Sequence, residues 1–175
     1  MKYNFLYKEL LDIDQSIMDR LQQYALSVDY GNNLGFYKGK GIRTHMIKQI
    51  SDIQFVFDAL STVVDPNCYL NAYINILPPN HYIPEHSDYG KNKFFQDNDV
   101  IHKIHIPIIT NISSGQIWRC EYEENRPMTV HFKRGKVYLF NNVDVHASVN
   151  FSDIESRYHL ILRCKKEAIS ESIYI

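Results

Sequence analysis

No stretch of this 175-residue chain approaches the ~20 consecutive apolar residues that a membrane-spanning helix requires, so no span is expected. The opening run MKYNFLYKELLDIDQ is broken by charge every few residues and lacks the apolar centre of a secretory signal. Cysteine is scarce. Cys68, Cys120 and Cys164 are odd in number, far apart and form no C-x-x-C pair, which argues against both a zinc knuckle and a disulfide framework. Free thiols in a reducing cytoplasm are the expectation. An excess of one charge is also missing: 19 Lys and Arg against 20 Asp and Glu leave a net charge of -1. Neither nucleic acid nor an anionic membrane is therefore indicated as a partner. Internal repeats, low-complexity tracts and Pro/Ser-rich linkers are absent as well.

What is present is a chain that is 45% hydrophobic and of a length suited to one domain with its own core. It divides into a helical front, residues 1–65, and a strand-rich body, residues 66–165. In the front, Asp14 to Leu26 (DQSIMDRLQQYAL) sets Ile17, Leu21 and Tyr24 on one face, with Met18 and Ala25 beside them. This is amphipathic helix spacing, with Asp12 or Asp14 available as the cap. A glycine-punctuated loop follows from Gly31 to Arg43, then a second helix is expected over His45 to Leu60.

From Cys68 onward the chain becomes short runs rich in Tyr, Ile and Val: CYLNAYINILP, KIHIPIIT, QIWRCEYE, MTVHFK, KVYLFNN, HASVNF and RYHLILRC. Turn residues at Pro78-Pro79-Asn80, Ser113-Ser114-Gly115, Arg134-Gly135 and Asn141-Asn142 separate them. Such spacing predicts an antiparallel sandwich or barrel. Within KIHIPIIT the alternation puts Lys103, His105 and Pro107 on one face and Ile104, Ile106 and Ile108 on the other. A polar face backed by an apolar one suits a barrel with a functional interior.

The chemistry is concentrated in a few residues. His86 and Asp88 stand two positions apart in IPEHSDYG, so on extended backbone their side chains point the same way. An H-x-D pair alone is a weak signal. His146, in NNVDVHASVN, follows a strong strand and returns far enough along the chain to sit beside that pair. Two imidazoles and a carboxylate on one face of an ion leave adjacent positions open, the donor set of non-haem Fe(II) oxygenases. Those positions fit a chelating keto acid and dioxygen. Arg157 lies eleven residues after His146, at the start of the strand YHLIL. A guanidinium fork there is suited to the far carboxylate of 2-oxoglutarate.

From Asn75 to about Leu162 the sequence resembles the aspartyl/asparaginyl β-hydroxylase-like branch of the Fe(II)- and 2-oxoglutarate-dependent dioxygenases. The stretches that carry the resemblance are LPPNHYIPEHSD, KIHIPIITN, QIWRCE, RGKVYLFNNVDVHASVN and SRYHLIL. It implies a mainly-β domain with N-terminal helices, built as a double-stranded β-helix (a jelly-roll, cupin-like barrel). It also implies His86, Asp88 and His146 as iron ligands, with Arg157 on the distal carboxylate of 2-oxoglutarate. His105, Lys103 and Asn75 fall at positions that imply further co-substrate contacts. The expected activity is hydroxylation of an amino acid or a peptidyl side chain, with 2-oxoglutarate converted to succinate.

A cupin-type hydrolase or isomerase using the same His/Asp/His site with another divalent metal is the competing expectation. It has no use for Arg157 at that offset. A silent barrel acting as a binding module is a third reading, weakened by the intact donor set. His45 and His81 read as surface or capping residues, and His159 as a neighbour of Arg157 on the same face. Trp118, Tyr73 and Tyr138 are expected to fill the barrel. The loop from Tyr89 to Ile101, with its double Phe beside Asp88, is a candidate lid.

Overall fold

The computed structural model of the protein describes residues 5–30, 42–88, 102–119 and 126–169. Helix α1 (Gln15–Ser27) starts where the sequence places it. Asp14 is its cap, the side chain accepting from the Ser16 N–H at 2.8 Å. Met18, Leu21 and Ala25 form its buried row, all fully shielded from solvent.

The strands are β1 (Tyr7–Asp12), β2 (Arg43–Ile47), β3 (Tyr69–Leu77), β4 (His81–His86), β5 (His102–Ile109), β6 (Ser114–Arg119), β7 (Pro127–Val130), β8 (Lys136–Phe140), β9 (His146–Asn150) and β10 (Arg157–Cys164). They form a six-stranded sheet ordered β1-β8-β5-β10-β3-β2 and a four-stranded sheet ordered β4-β9-β6-β7. All the recorded pairings are antiparallel. Strands β3, β5, β8 and β10 lie in the large sheet and β4, β6, β7 and β9 in the small one. This distribution is the double-stranded β-helix, a jelly roll of two facing sheets.

The front of the chain is less helical than expected. Arg43–Ile47, partly within the helix expected over His45 to Leu60, is the edge strand β2, paired to β3. Only Gln54–Leu60 is α-helical (α2), entered through a single 3₁₀ turn at Ile50–Ile53. The β-branched Thr44 and Ile47 lose little in extended backbone, and pairing along β3 decides their conformation. Strand β1 closes the opposite edge against β8. Residues 31–41 of the loop expected from Gly31 to Arg43, the candidate lid over 89–101 and Cys120 lie outside the described residues, and Arg43 itself opens β2. Among the described residues, no helix is long and apolar enough to cross a membrane.

Two cores result. Ile104, Ile106 and Ile108 of β5 and Leu160 and Leu162 of β10 join Met18, Leu21, Val56 and Leu60 of the two helices in one aliphatic cluster. Each such fully buried aliphatic side chain contributes roughly 1.5–3 kcal/mol. The other face of the same strands looks into the space between the sheets, where Trp118, Phe132, Tyr138 and Phe140 form a separate aromatic cluster. The turn before β8 is tied to α1: Arg134 donates to Gln15 and Asp19 at 2.9 and 2.8 Å and to the Ile108 carbonyl at 3.1 Å. Gly135 supplies the left-handed conformation that turn needs, with φ at 83°.

Candidate active site

His86 ends β4 and His146 begins β9, and the two are opposite one another across that strand pair. A register shift between Ile83 and His86 makes this possible. Without the extra residue, the alternation would turn Glu85 rather than His86 inward; bulges on edge strands re-aim side chains in this way. The two imidazole centroids are 4.4 Å apart.

Each ring is oriented from behind. His86 Nδ1 lies 2.8 Å from the Pro84 carbonyl, and His146 Nδ1 lies 2.9 Å from the Asp144 carbonyl. A carbonyl oxygen only accepts, so in each neutral ring Nδ1 carries the proton and Nε2 keeps its lone pair. This is the backing typical of metal-ligating histidines. Asp88 completes the group. Its Oδ1 is 3.7 Å from His86 Nε2 and its Oδ2 is 3.9 Å from His146 Nε2. The Asp88 N–H donates to the Asn142 carbonyl at 3.1 Å and Ser87 Oγ donates to Val143 O at 2.6 Å, pinning this segment to the loop before β9. One donor atom from each of the three residues lies within 4.8 Å of the others.

The electrostatics suit a cation. Burial pushes the His146 pKa down to about 4, so the ring is neutral at physiological pH. Burial alone would raise the Asp88 carboxyl, but the Lys103 ammonium, His146 and His86 outweigh it and hold it below the ordinary carboxylate value. Lys103 Nζ is 2.6 Å from Asp88 Oδ2. Lys103 therefore stands at the metal end of the site, whereas Arg157 lies six residues along β10 from Arg163, the cross-strand neighbour of Lys103.

Between them on the same face of β5 is His105, which is stacked on Phe140 at 4.3 Å between centroids, with both ring nitrogens buried and unpartnered. Burial, then Lys103 and Arg157, push its pKa well below the ordinary histidine value. Arg157 itself is buried, and burial pushes its pKa down to about 9, still cationic at neutral pH. Its neighbours are uncharged. Nε and Nη2 each lie 2.9 Å from a ring nitrogen of His159, which burial keeps neutral. No acidic side chain pairs with Arg157 among the described residues. Asn75, opposite His159 on β3, accepts from Thr44 Oγ1 at 2.8 Å.

One member of the group was not singled out from the sequence. Gln116 of β6, two residues before Trp118 and on its face, reaches from the small sheet toward Arg157. With its amide oxygen turned to the guanidinium it accepts from Arg157 Nη2, while its nitrogen donates to the Ala147 carbonyl at 2.9 Å. The alternation of QIWRCE was the available signal. Trp118 and Tyr138 fill the inter-sheet space as expected.

A family model described as aspartyl/asparaginyl beta-hydroxylase matches residues 9–167. The chain belongs to this family. No curated protein sequence matches it. Among solved structures, this family member is similar to a viral collagen prolyl hydroxylase from Paramecium bursaria Chlorella virus-1, determined with 2-oxoglutarate. The TM-score is 0.62 at 11% identity, covering 93% of this chain and 97% of the other. A prolyl-4-hydroxylase from Pseudomonas putida gives 0.63 at 10% identity, covering 93% of each chain. HygX from Streptomyces hygroscopicus, with nickel and 2-oxoglutarate bound, gives 0.64 at 9% identity, covering 90% and 82%. At such identities the likeness establishes the fold.

Proposed function

We propose that this member of the aspartyl/asparaginyl β-hydroxylase family is an Fe(II)- and 2-oxoglutarate-dependent dioxygenase. Its substrate is an amino acid or an Asp/Asn-type side chain. The observation that carries the reading is Arg157, a buried guanidinium without a carboxylate partner among the described residues, in the same inter-sheet space as His86, Asp88 and His146. A buried charge is strongly penalised unless it is paired. A ligand carboxylate is the partner this site is built to receive.

The donor set fits the metal. Two imidazoles that present Nε2 and one ionised carboxylate would hold Fe(II) and leave room for further ligands. When bound there, iron and keto acid would with dioxygen supply the oxidising chemistry that hydroxylates a C–H bond, one oxygen atom going to the product and the other to the succinate formed from 2-oxoglutarate with loss of carbon dioxide. The chain's own work is positional. The Pro84 and Asp144 carbonyls keep His86 and His146 in the ligating tautomer. Arg157 takes the distal carboxylate in its fork. His105, neutral and with unpartnered ring nitrogens, offers one donor and one acceptor to the co-substrate between the metal and Arg157. Lys103 holds the second oxygen of Asp88 and adds positive charge at the metal end. Asn75 is the remaining proposed contact. The aromatic wall of Trp118, Phe132, Tyr138 and Phe140 keeps water from this interior.

Anaerobic addition of Fe(II) and 2-oxoglutarate tests the reading. The expected result is the weak visible absorption of a chelated keto acid, lost in His146→Ala and weakened in Arg157→Ala. Tight divalent-metal binding with no such band, and full activity in Arg157→Ala, would instead identify a hydrolytic or isomerising cupin.

A further inference from the structure

Arg157 raises a question that its own role does not answer. A buried arginine ordinarily has an aspartate or glutamate beside it, because an unpaired guanidinium in a dry interior is costly. Here the side chain that reaches it from the opposite sheet is Gln116, which is 1% exposed and differs from glutamate only in bearing an amide nitrogen in place of one carboxylate oxygen. The amide is held from behind. In the amide orientation that satisfies both its oxygen and its nitrogen, the nitrogen donates to Ala147 O at 2.9 Å and to Ser148 Oγ at 2.6 Å, which leaves the oxygen directed at Arg157 Nη2. These two contacts decide the chemistry of the position, because a carboxylate has no hydrogen to give the Ala147 carbonyl. The other neighbour of the guanidinium, His159, is neutral as well. Thr110 and Ser114 line the same narrow space and also carry no charge.

We propose that Gln116 makes this site select a dicarboxylate. It orients the Arg157 guanidinium through a neutral acceptor and so leaves its charge for the second carboxylate of the keto acid. A glutamate there would neutralise Arg157 internally and repel that carboxylate. Keto acids with one carboxylate, which only reach the metal end, would bind alike in either case. Gln116 is thus a positioning residue acting through Arg157. The inference rests on the dioxygenase reading above.

The test is calorimetric binding of 2-oxoglutarate and of pyruvate to the Mn(II)-loaded protein, in wild type, Gln116→Glu and Gln116→Asn, with metal affinity measured in each. In Gln116→Glu, affinity for 2-oxoglutarate is expected to fall by about a hundredfold or more, since like charges brought together in an interior cost several kcal/mol. Pyruvate and Mn(II) should bind as in wild type. Gln116→Asn withdraws the amide by one methylene without adding charge and is expected to cost roughly tenfold for 2-oxoglutarate alone, as loss of one hydrogen bond to a charged group. The asparagine variant decides the matter if the glutamate variant does not fold. An unchanged ratio of 2-oxoglutarate to pyruvate affinity in a folded variant overturns the proposal. So does an equal loss for both ligands, which would mark Gln116 as packing only. Wild-type protein that binds Mn(II) but neither keto acid takes down the dioxygenase reading itself.

Discussion

The two faces of the large sheet use the same strands for opposite purposes. Toward the helices, β5 and β10 present Ile104, Ile106, Ile108, Leu160 and Leu162, closed over by α1 and α2. One residue out of step along the same strands stand Lys103, His105, Arg157 and His159, facing the small sheet. Both faces are buried, but the aliphatic side chains of the first need no polar partner. On the second, both His105 nitrogens lack a partner and Arg157 lacks a counter-ion among the described residues. The contrast implies that the aliphatic face supplies the stability that allows the polar face to remain incomplete until a ligand arrives.

The widest separation of the two faces should appear with pH. Burial holds His105 and His159 neutral, with pKa values well below the ordinary histidine value. Below about pH 6.5 the unfolded chain takes up protons at these positions and the folded protein does not. Above that pH their burial therefore carries no proton-linked penalty, and stability is lost as pH falls toward the folded pKa values. With His146, whose pKa burial also lowers, to about 4, three such groups give a slope approaching about 4 kcal/mol per pH unit in the metal-free protein. Urea midpoints at several pH values measure it, and a flat profile between about pH 6.5 and 5 would mean that the polar face is wet.

Truncation on the aliphatic face comes next. Leu160→Ala should cost about 2–5 kcal/mol, read as a lower urea midpoint at constant slope, because the rigid surroundings close the cavity only in part. Arg157→Met, three residues away on the opposite face, should do the reverse. Removing a buried charge that lacks an acidic partner among the described residues is expected to leave the metal-free protein unchanged or stabilise it by up to roughly 4 kcal/mol. The same substitution abolishes the affinity for 2-oxoglutarate proposed above. If Arg157→Met destabilised the protein as Leu160→Ala does, the faces would not differ in the way described.

This division was largely visible in the sequence because strand periodicity is strict. KIHIPIIT shows its two faces directly, and the alternation of RYHLILRC sets Arg157 and His159 on the face opposite Leu160 and Leu162. Strands β1 and β2 were not visible, since edge strands such as RTHMI are stabilised by the partner they pair with and carry little local signal. The partner of Lys103 was also out of reach. Alternation gives the face on which its ammonium emerges, but its contact with Asp88 depends on how the segment after β4 is pinned to Asn142 and Val143. Gln116 was overlooked for a different reason: a glutamine near a tryptophan looks ordinary until the arginine opposite proves to have no acid among the described residues.

The smallest effect sharpens the comparison most. His105 is stacked on Phe140 with its ring planes 12° apart, so the site already accommodates an aromatic ring in that plane. His105→Phe keeps the stacking and removes two buried polar atoms that have no partner. Each such atom costs about 1–3 kcal/mol, part of which the larger ring forfeits through strain in a packed interior. A net gain of about 1 kcal/mol in the metal-free protein is expected, accompanied by weaker binding of 2-oxoglutarate. The acid slope should meanwhile fall by about 1.4 kcal/mol per pH unit, because only His146 and His159 then resist protonation. A gain in stability together with that shallower slope would assign the cost of the unfinished face to His105. If stability falls and the slope stays the same, the ring nitrogens are already satisfied in solution, and the polar face is better finished than its geometry indicates.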